Sequence, residues 1–562
     1  MPRAMVPTGW LWLGLACAPS LDVEYGHGVG VTPGAAACQA GLAPHDVQGE
    51  DSVSPLLGQS VDVAGVVTQH ASLGARRAGF FLESHAPDAS PLSSEGLFVL
   101  WPVAMGPAPG TRVSVRGVVN EGAGMTELES VERLDECGLA PITRTTVEAS
   151  ELAHAEALEG MSIRARGAWT LLDAPRSLGA GSATASPDGR LFASGHELGG
   201  EPGQRWTLRF DAVEIPTLPP APLRDVDDLP RLGAELDEIE GVLWVEGEAR
   251  TLFVPEPPAW PSRAPSPPAR APGSSLRLVG LNLDNYFLDP DGPGARSQNE
   301  LSRQRAKLVA ALAALDADVL ALTELENRGA EGLEHLLEGL NRALAPAPGF
   351  AFQEGVAPSG STLRAGIAYR PERVRPRGEA WFASAAGLRR PPVFQPLESQ
   401  GFTFTLGVVH LKSKRCDADP EVLSSGNGPS EGCGAAQRRR EAELLLEETA
   451  ALREPILLLG DFNADALEAP LRLLEQGGYH DLLGTLPARE RYSYVYEGRA
   501  TLLDHALARG SVAEHVRGAA IWHINADEPS LRSYSLDNPP EAFAADARRS
   551  SDHDPIIIDL AP

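Results

Sequence analysis

Two architectures in series are predicted from this chain: a β-rich small barrel or sandwich upstream, and an α/β domain downstream whose sheet is covered on both faces. Three observations predict them. Short apolar or alternating runs separated by Gly, Pro, Ser and Asp clusters fill the first half. A Pro-rich stretch, "PEPPAWPSRAPSPPARAPGSS", interrupts the text near the middle and reads as an extended, semi-rigid linker. Beyond it, nearly all-apolar strand patterns interleave with helical ones.

The chain has 562 residues, too many for one core, so about two to four domains are expected. Hydrophobic content of 43% with charged content of 22% belongs to a globular protein. A net charge of -28 excludes a stoichiometric nucleic-acid coat, which needs clustered Lys and Arg. It does not exclude an enzyme, because carboxylate-held metal ions reverse the local field.

Residues 1–17, "MPRAMVPTGWLWLGLAC", carry Arg3, an apolar stretch from Trp10 to Ala16 and then Cys17. The stretch is well short of the roughly 20 apolar residues that span a bilayer, so an export signal is expected. "LGLAC" resembles a lipoprotein signal, which implies Cys17 as the lipidated residue; plain secretion is the alternative. Residues 18–40 read as a linker. Of the five cysteines, Cys38, Cys137, Cys416 and Cys433 then form an even set, expected as disulfides in an exported chain. Chain proximity pairs Cys38 with Cys137 and Cys416 with Cys433, and no CxxC spacing suggests zinc.

Residues 41–139 contain the strand-like runs "VDVAGVVTQH", "GFFLES", "GLFVLW" and "TRVSVRGVVNE". Residues 140–255 are also β-leaning but less regular, with "GMSIRARGAWTLL", "RWTLRFDAVEI" and "IEGVLWVEG". The linker occupies 256–273. From 274 to 562, "LRLVGLNL", "DVLALTEL", "FTLGVVHL" and "PILLLGDFN" read as strands. "NELSRQRAKLVAALAAL" places Leu301, Leu308, Leu312 and Leu315 on one helical face, and "AAQRRREAELLLEETAAL" is a second helix.

Polar residues recur at the ends of these strands: Asn282, Glu324, His410, Asp461, Asn463, Asp504 and His505, with Asp552, His553 and Asp554 before the final strand. Singly, each suits a turn or a satisfied core group. Together in one domain, at the strand ends where such folds carry their chemistry, they suggest a site. Several carboxylates brought together repel unless a hard cation sits among them, and this donor set suits Mg²⁺, Mn²⁺ or Ca²⁺ beside a phosphate better than zinc. A calcium-loop reading of Asp461, Asn463 and Asp465 fails. The position requiring Gly is Ala466, and the one requiring a bidentate Glu is Arg472.

In order and spacing, "LRLVGLNLDNYF", "DVLALTELEN", "VVHLKSK", "ILLLGDFNAD", "TLLDHALA" and "SSDHDPI" resemble the endonuclease/exonuclease/phosphatase superfamily, which includes pancreatic-type deoxyribonuclease. "YSYVYEGRATLLDHALA" and "WHINADEPS" are similar to its large secreted bacterial nucleases. "HDVQGEDSVSPLLGQSVDVAGVVT" resembles the OB-like domain those carry upstream. The resemblance implies a four-layer sandwich of two β-sheets flanked by helices. It also implies a metal-dependent endonuclease acting on DNA, with RNA left open. Asn282 and Glu324 would hold the metal and the scissile phosphate, with Asp552 completing that pocket and Asp284 as an additional metal-side acid. Asp461 would position or deprotonate the attacking water, and Asn463 would steady it and the phosphate. His553 would contact the phosphate or protonate the leaving oxygen, oriented by Asp504, with His410 as a second phosphate-side histidine. Asp465 matches no role and reads as a turn or capping residue.

Two features depart from the family pattern or lie outside it. "SGSTL" lacks the acidic residue relatives often place before the strand "RAGIAYR", so no carboxylate partner for His410 is identifiable. "CDADPEVLSSGNGPSEGC" reads as a disulfide-closed solvated loop rather than a calcium site. Lys412, Lys414, Arg415 and Arg438–Arg440 either grip phosphates or form a solvated face. A phosphatase or phospholipase-type phosphodiesterase on the same scaffold is the first alternative, and a non-catalytic surface-binding protein the second. The only membrane contact expected is through a lipid anchor.

Overall fold

The computed structural model describes residues 41–562 apart from 73–76, 89, 102–105, 123, 174–181, 200–202, 211–228, 248, 256–257, 262, 353–354, 356–359, 417–430 and 453–454. Cys17 and Cys38 therefore lie outside the described residues, as does most of the acidic insertion. Among the described residues no helix is long and apolar enough to cross a membrane.

The first β-rich region is a closed barrel. Strands Ser60–Ser72, Ala78–Glu83, Gly96–Leu100, Thr111–Gly122 and Met125–Leu139 pair so that the first meets the second and fourth, and the third runs parallel to the fifth. Inward residues such as Val63, Phe80, Leu97, Val113 and Leu128 fill it, as the alternation of the first region requires. The second, less regular region repeats this topology. Strands Ser162–Asp173, Ser182–Ser186, Trp206–Arg209, Glu235–Glu246 and Ala249–Phe253 close a ring in the same order, again with the third parallel to the fifth. Its core is built around Trp169 and Trp206, edge to face at 5.6 Å. Phe81, Phe98, Met125, Trp244 and Phe253 form a shared apolar seam between the barrels.

Two carboxylates are buried at that junction. Glu159 accepts from the Thr126 backbone N–H at 2.8 Å and from Gln48 Nε2 at 3.3 Å, and Glu83 accepts from the Ser162 N–H at 3.2 Å. Burial, against these few donors, pushes both up to about 8.

The Pro-rich linker is a strap rather than a free spacer. Pro265 O accepts from Trp522 Nε1 at 2.9 Å and Pro268 O from Arg277 at 3.0 Å, while the Ala271 N–H donates to Asp559 at 2.7 Å.

Downstream, two sheets pack face to face. The first orders Ala351–Phe352, Leu363–Tyr369, Val319–Glu326, Leu276–Tyr286, Ile556–Leu560 and Val516–Ile521. The second orders Arg375–Pro376, Val393–Ser399, Phe402–His410, Ile456–Asp461, Asp504–Arg509 and His480–Asp481. Leu278, Ala321, Ile367, Leu406, Leu457, Leu459 and Ile558 fill the space between them. Helices Gln298–Ala314 and Glu331–Leu344 cover the outer face of the first sheet, burying Leu301, Leu308, Leu312 and Leu315. Ala435–Ala450 and Ala469–Gln476 cover the second. The strands are apolar on both faces because one face meets helices and the other meets the opposite sheet, which gives four layers. Ser297 starts the first helix, its Oγ accepting from the Glu300 N–H at 3.1 Å while Glu300 reaches back to the Arg296 N–H at 2.7 Å.

Because Glu83 and Glu159 stay protonated in the fold where the unfolded chain would ionise them, their contribution to stability is full below about pH 4.5 and lost as pH rises through about 8. Calorimetry is expected to show the thermal midpoint of the barrel pair falling across that window. Glu159→Gln is expected to flatten the fall; an equally steep one would show that the junction carboxylates do not cause it.

Candidate active site

Strand direction brings the site residues to one edge. Leu276–Tyr286 and Val319–Glu326 run parallel and present Asn282 and Glu324 together. Phe402–His410 and Ile456–Asp461 are also parallel and end side by side in His410 and Asp461. The remaining contributors arrive from the opposite direction. Asp504 opens an antiparallel strand and pairs with Asp461, rather than following a strand as the apolar run "TLL" before it predicts. Ile556–Leu560 runs antiparallel to Leu276–Tyr286, so its lead-in, Asp552–Pro555, reaches the same edge.

Glycine makes the approach possible. A Cβ on Gly460, at φ 143°, would lie 2.2 Å from the Val409 carbonyl oxygen. A Cβ on Gly280 would press to 3.0 Å from Leu459 and 3.1 Å from Ile556, between the sheets. Two residues beyond Gly280, Asn282 Nδ2 crosses to Asp461 Oδ2 at 3.1 Å. Asn463 holds the same carboxylate from below, with its N–H on Oδ1 at 2.8 Å and its Nδ2 on Oδ2 at 3.1 Å. His553 Nδ1 donates to Asp504 Oδ2 at 2.7 Å, and that oxygen also accepts from Ser493 Oγ at 2.7 Å. Glu324 is oriented by the Asn285 N–H at 2.8 Å, and Asn282 Oδ1 by the Asp284 N–H at 3.0 Å.

Strain concentrates here. Of nine non-glycine residues with positive φ among the described residues, five surround the site: Asp284, Asn285, Glu324, Asn463 and Arg549. Left-handed backbone at that density marks a site whose surroundings over-determine its geometry.

Electrostatics separates the groups. Burial opposes the charged form of His553, but Asp504, Asp461 and Asp552 outweigh it and hold the imidazolium well above its ordinary pKa. Asp461 is pushed up to about 7 by burial, relieved by His553 and raised further by Asp504. Burial and the neighbouring Asp552 raise Asp284 and Glu324, and Glu324 also raises Asp284. Burial, Arg390 and His553 drive His410 well below the usual imidazole range.

Arg390 answers the question left open for His410. Its Nη1 donates to His410 Nε2 at 2.8 Å and to Leu411 O at 2.7 Å. A ring nitrogen that accepts from a guanidinium is unprotonated. The approaches of His410 Nε2 to Asp461 at 3.5 Å and Glu324 at 3.7 Å are therefore not ion pairs. Arg390 sits in "LRRPPVF", and nothing in its spacing from His410 signals the contact. Ser493 and Tyr494, whose ring lies 4.8 Å from His553, were also missed as site residues.

Other sequence candidates fall elsewhere. Asp465 is fully buried, accepting from Thr501 Oγ1 and from the Leu502 N–H at 2.9 Å, so it fastens a loop to a strand. Arg438 is buried on the carbonyls of Cys433 and Glu431, and Lys412 on those of Ser413 and Arg415, so neither forms a solvated face. Arg440 pairs with Glu443, and Lys414 with Glu468. Cys416 and Cys433 are joined. Cys137 is disulfide-bonded, and its expected partner Cys38 lies outside the described residues. His505 is buried among Asp481 and the carbonyls of Ala464 and Leu502, a core histidine.

The residues fit a divalent cation in part. Ligand atoms of Asp461, Asp504 and His553 lie within 4.8 Å of one another. Within that trio, His553 Nδ1 and Asp504 Oδ2 are already engaged with each other at 2.7 Å. Glu324, Asp284 and Asp552 form no such tight trio among the described residues. Their mutually disfavoured charges and all-oxygen donors suit a hard cation that keeps several waters.

Residues 279–553 match the Endonuclease/Exonuclease/phosphatase family. The domain belongs to that superfamily, whose members are hydrolases acting on phosphodiester bonds and generally use divalent metals. Solved structures similar to it include D. rerio TDP2 complexed with single strand DNA product (16% identity, 50% of this chain, 97% of that one, TM-score 0.33). Another is the human Nocturnin catalytic domain with bound sulfate anion (17%, 50%, 93%, 0.31). A third is an endonuclease/exonuclease/phosphatase family protein from Bacteroides thetaiotaomicron (18%, 51%, 97%, 0.34). No curated protein matches the chain.

His553→Ala is expected to lower hydrolysis by roughly 10²–10⁴ with an unchanged circular dichroism spectrum; near-full activity would remove His553 from the chemistry. Asp465→Ala, four residues from Asp461, should behave oppositely. It should cost about 1–3 kcal/mol in denaturant unfolding for each donor left unpaired, with turnover per folded molecule preserved.

Proposed function

We propose that the chain is an exported, divalent-metal-dependent nuclease that hydrolyses phosphodiester bonds of DNA by in-line attack of an activated water, with RNA a second substrate to test. The observation that carries the reading is the buried His553–Asp504 pair set beside Asp461, a carboxyl poised near neutrality. Asp461, steadied by the amides of Asn282 and Asn463, accepts the proton of the attacking water. His553, kept charged by Asp504, donates to the departing oxygen. Glu324, Asp284 and Asp552, with Asn282, are the groups that would hold Mg²⁺, Mn²⁺ or Ca²⁺. The cation would supply charge neutralisation of the non-bridging oxygens. Arg390, bonded to His410, is a cation this chain itself brings to that side of the site.

Export is supported by the N-terminal text, with Cys17 as the lipidation site in the anchored form, and by the Cys416–Cys433 bond, which suits an oxidising compartment. DNA is favoured over other phosphodiesters by "YSYVYEGRATLLDHALA" and "WHINADEPS", which resemble the secreted nucleases. An OB-like identity for the barrels is part of the same reading.

The test incubates purified protein with plasmid DNA, RNA, an inositol phosphate and sphingomyelin, each with Mg²⁺ and with EDTA. Cleavage of DNA that EDTA abolishes is expected. Intact DNA under Mg²⁺, Mn²⁺ and Ca²⁺ alike, with turnover of another substrate, would replace the nuclease reading with the phosphatase or phospholipase one.

A further inference from the structure

The hairpin Tyr494–Tyr496 and Arg499–Thr501, with Tyr492 and Ser493 leading into it, stands directly behind the His553–Asp504 pair. Ser493 Oγ donates to Asp504, the Asp554 N–H donates to Ser493 O at 2.7 Å, and the Tyr494 ring lies against His553. Two strands of three residues are not stable alone in water. This hairpin gains a third strand from another part of the chain: Leu191–Phe192, in the loop between two strands of the second barrel, pairs parallel with Arg499–Ala500. The Ala193 N–H continues the ladder to Ala500 O at 2.9 Å, and Phe192 packs with Tyr492 and Ala500.

Beside this seam, Arg190 from the same loop clamps Asp527 through Nη1 at 2.9 Å and Nη2 at 3.1 Å. Tyr492 Oη donates to the same carboxylate at 2.8 Å, and the guanidinium lies 4.4 Å over the Tyr492 ring. Tyr492 stacks on His523 at 3.9 Å with the rings nearly parallel, and His523 Nδ1 bonds Asp554 at 2.9 Å, next to His553. Two routes thus lead from Arg190 through Tyr492 to the pair, one along the chain to Ser493 and Asp504 and one through His523 to Asp554, the chain neighbour of His553. A bidentate pair between half-buried Arg190 and buried Asp527 resists displacement.

We propose that the 188–199 loop of the second barrel is a positioning element of the active site, with Arg190 and Phe192 locking the hairpin that holds Asp504 and His553 in register. The catalytic domain is then incomplete without the second barrel. "YSYVYEG" and "WHINADEPS" carry the receptors for that loop, Tyr492 and Asp527, and the His523 that stacks on Tyr492. The inference rests on the assignment of His553 and Asp504 as the reacting pair. Neither Arg190 nor Phe192 touches substrate in it.

The test uses the full chain carrying Arg190→Ala, Arg190→Lys or Phe192→Ala. Plasmid hydrolysis with Mg²⁺ is measured alongside hydrogen exchange of residues 492–501 and of the strand Ile456–Asp461. In the Ala variants kcat is expected to fall about tenfold or more with KM changed less than about twofold. Exchange should quicken across 492–501 while Ile456–Asp461 keeps its protection, and Arg190→Lys should lie between wild type and Arg190→Ala. Wild-type kcat and exchange in both Ala variants would overturn the proposal. So would a loss of protection throughout the chain in Phe192→Ala and Arg190→Lys, which would make the seam a general stability contact. A wild-type chain that cuts no phosphodiester, with the local exchange change intact, would count against the nuclease reading and leave the mechanical coupling standing.

Discussion

The hydrogen bond from Asn282 to Asp461 spans the two sheets at 3.1 Å, and the rest of the site is arranged around it. It forms only where the sheets approach closely, which the missing side chain of Gly280 permits over Leu459. Apolar residues on the facing surfaces set the distance and the register. Once Asn282 and Asp461 meet, the pairing Asp461↔Asp504 brings in the carboxylate that orients His553, and His410↔Asp461 brings in the imidazole that Arg390 caps. A one-residue slip in either strand would turn these side chains to the opposite face.

That edge gathers charge that folding alone does not favour. Asp284, Glu324 and Asp461 are all shifted toward their neutral forms, chiefly by burial. Left-handed backbone at Asp284, Glu324 and Asn463 adds local strain. The stability that offsets both comes from elsewhere: the apolar core between the sheets, the buried Arg277–Asp559 pair at the far end of their strands, and the strap of the Pro-rich linker. Separating rigid scaffold from costly site lets a fold hold like charges together at one edge.

The strands, the helix faces and most of the polar strand-end residues were legible in the sequence because they obey local rules. Period-2 and period-3.6 patterns reveal which face is buried, and a polar residue after an all-apolar run has few bland reasons to recur. The tandem barrel was not legible. A small barrel asks only for inward apolar residues and turns of unspecified length, so two regions can share a strand order with little common text. Arg390, Ser493 and Arg190 were missed for a different reason. Each acts across a contact between segments distant in the chain, and a single Arg or Ser in a loop has no periodicity to mark it.

Residue chemistry and spacing by themselves determined that this chain carries an α/β domain with oxygen and imidazole groups at its strand ends, set behind β-rich modules. Only the tertiary structure decided which of those groups meet. It separated Asp461, held by two amides at the junction of the sheets, from Asp465, buried as a loop fastener four residues on. It made His410 neutral through Arg390, and it enlisted a loop of the second barrel behind His553. The physical reason is that charge state and role depend on what lies within a few ångströms, and that neighbourhood is set by packing between distant segments.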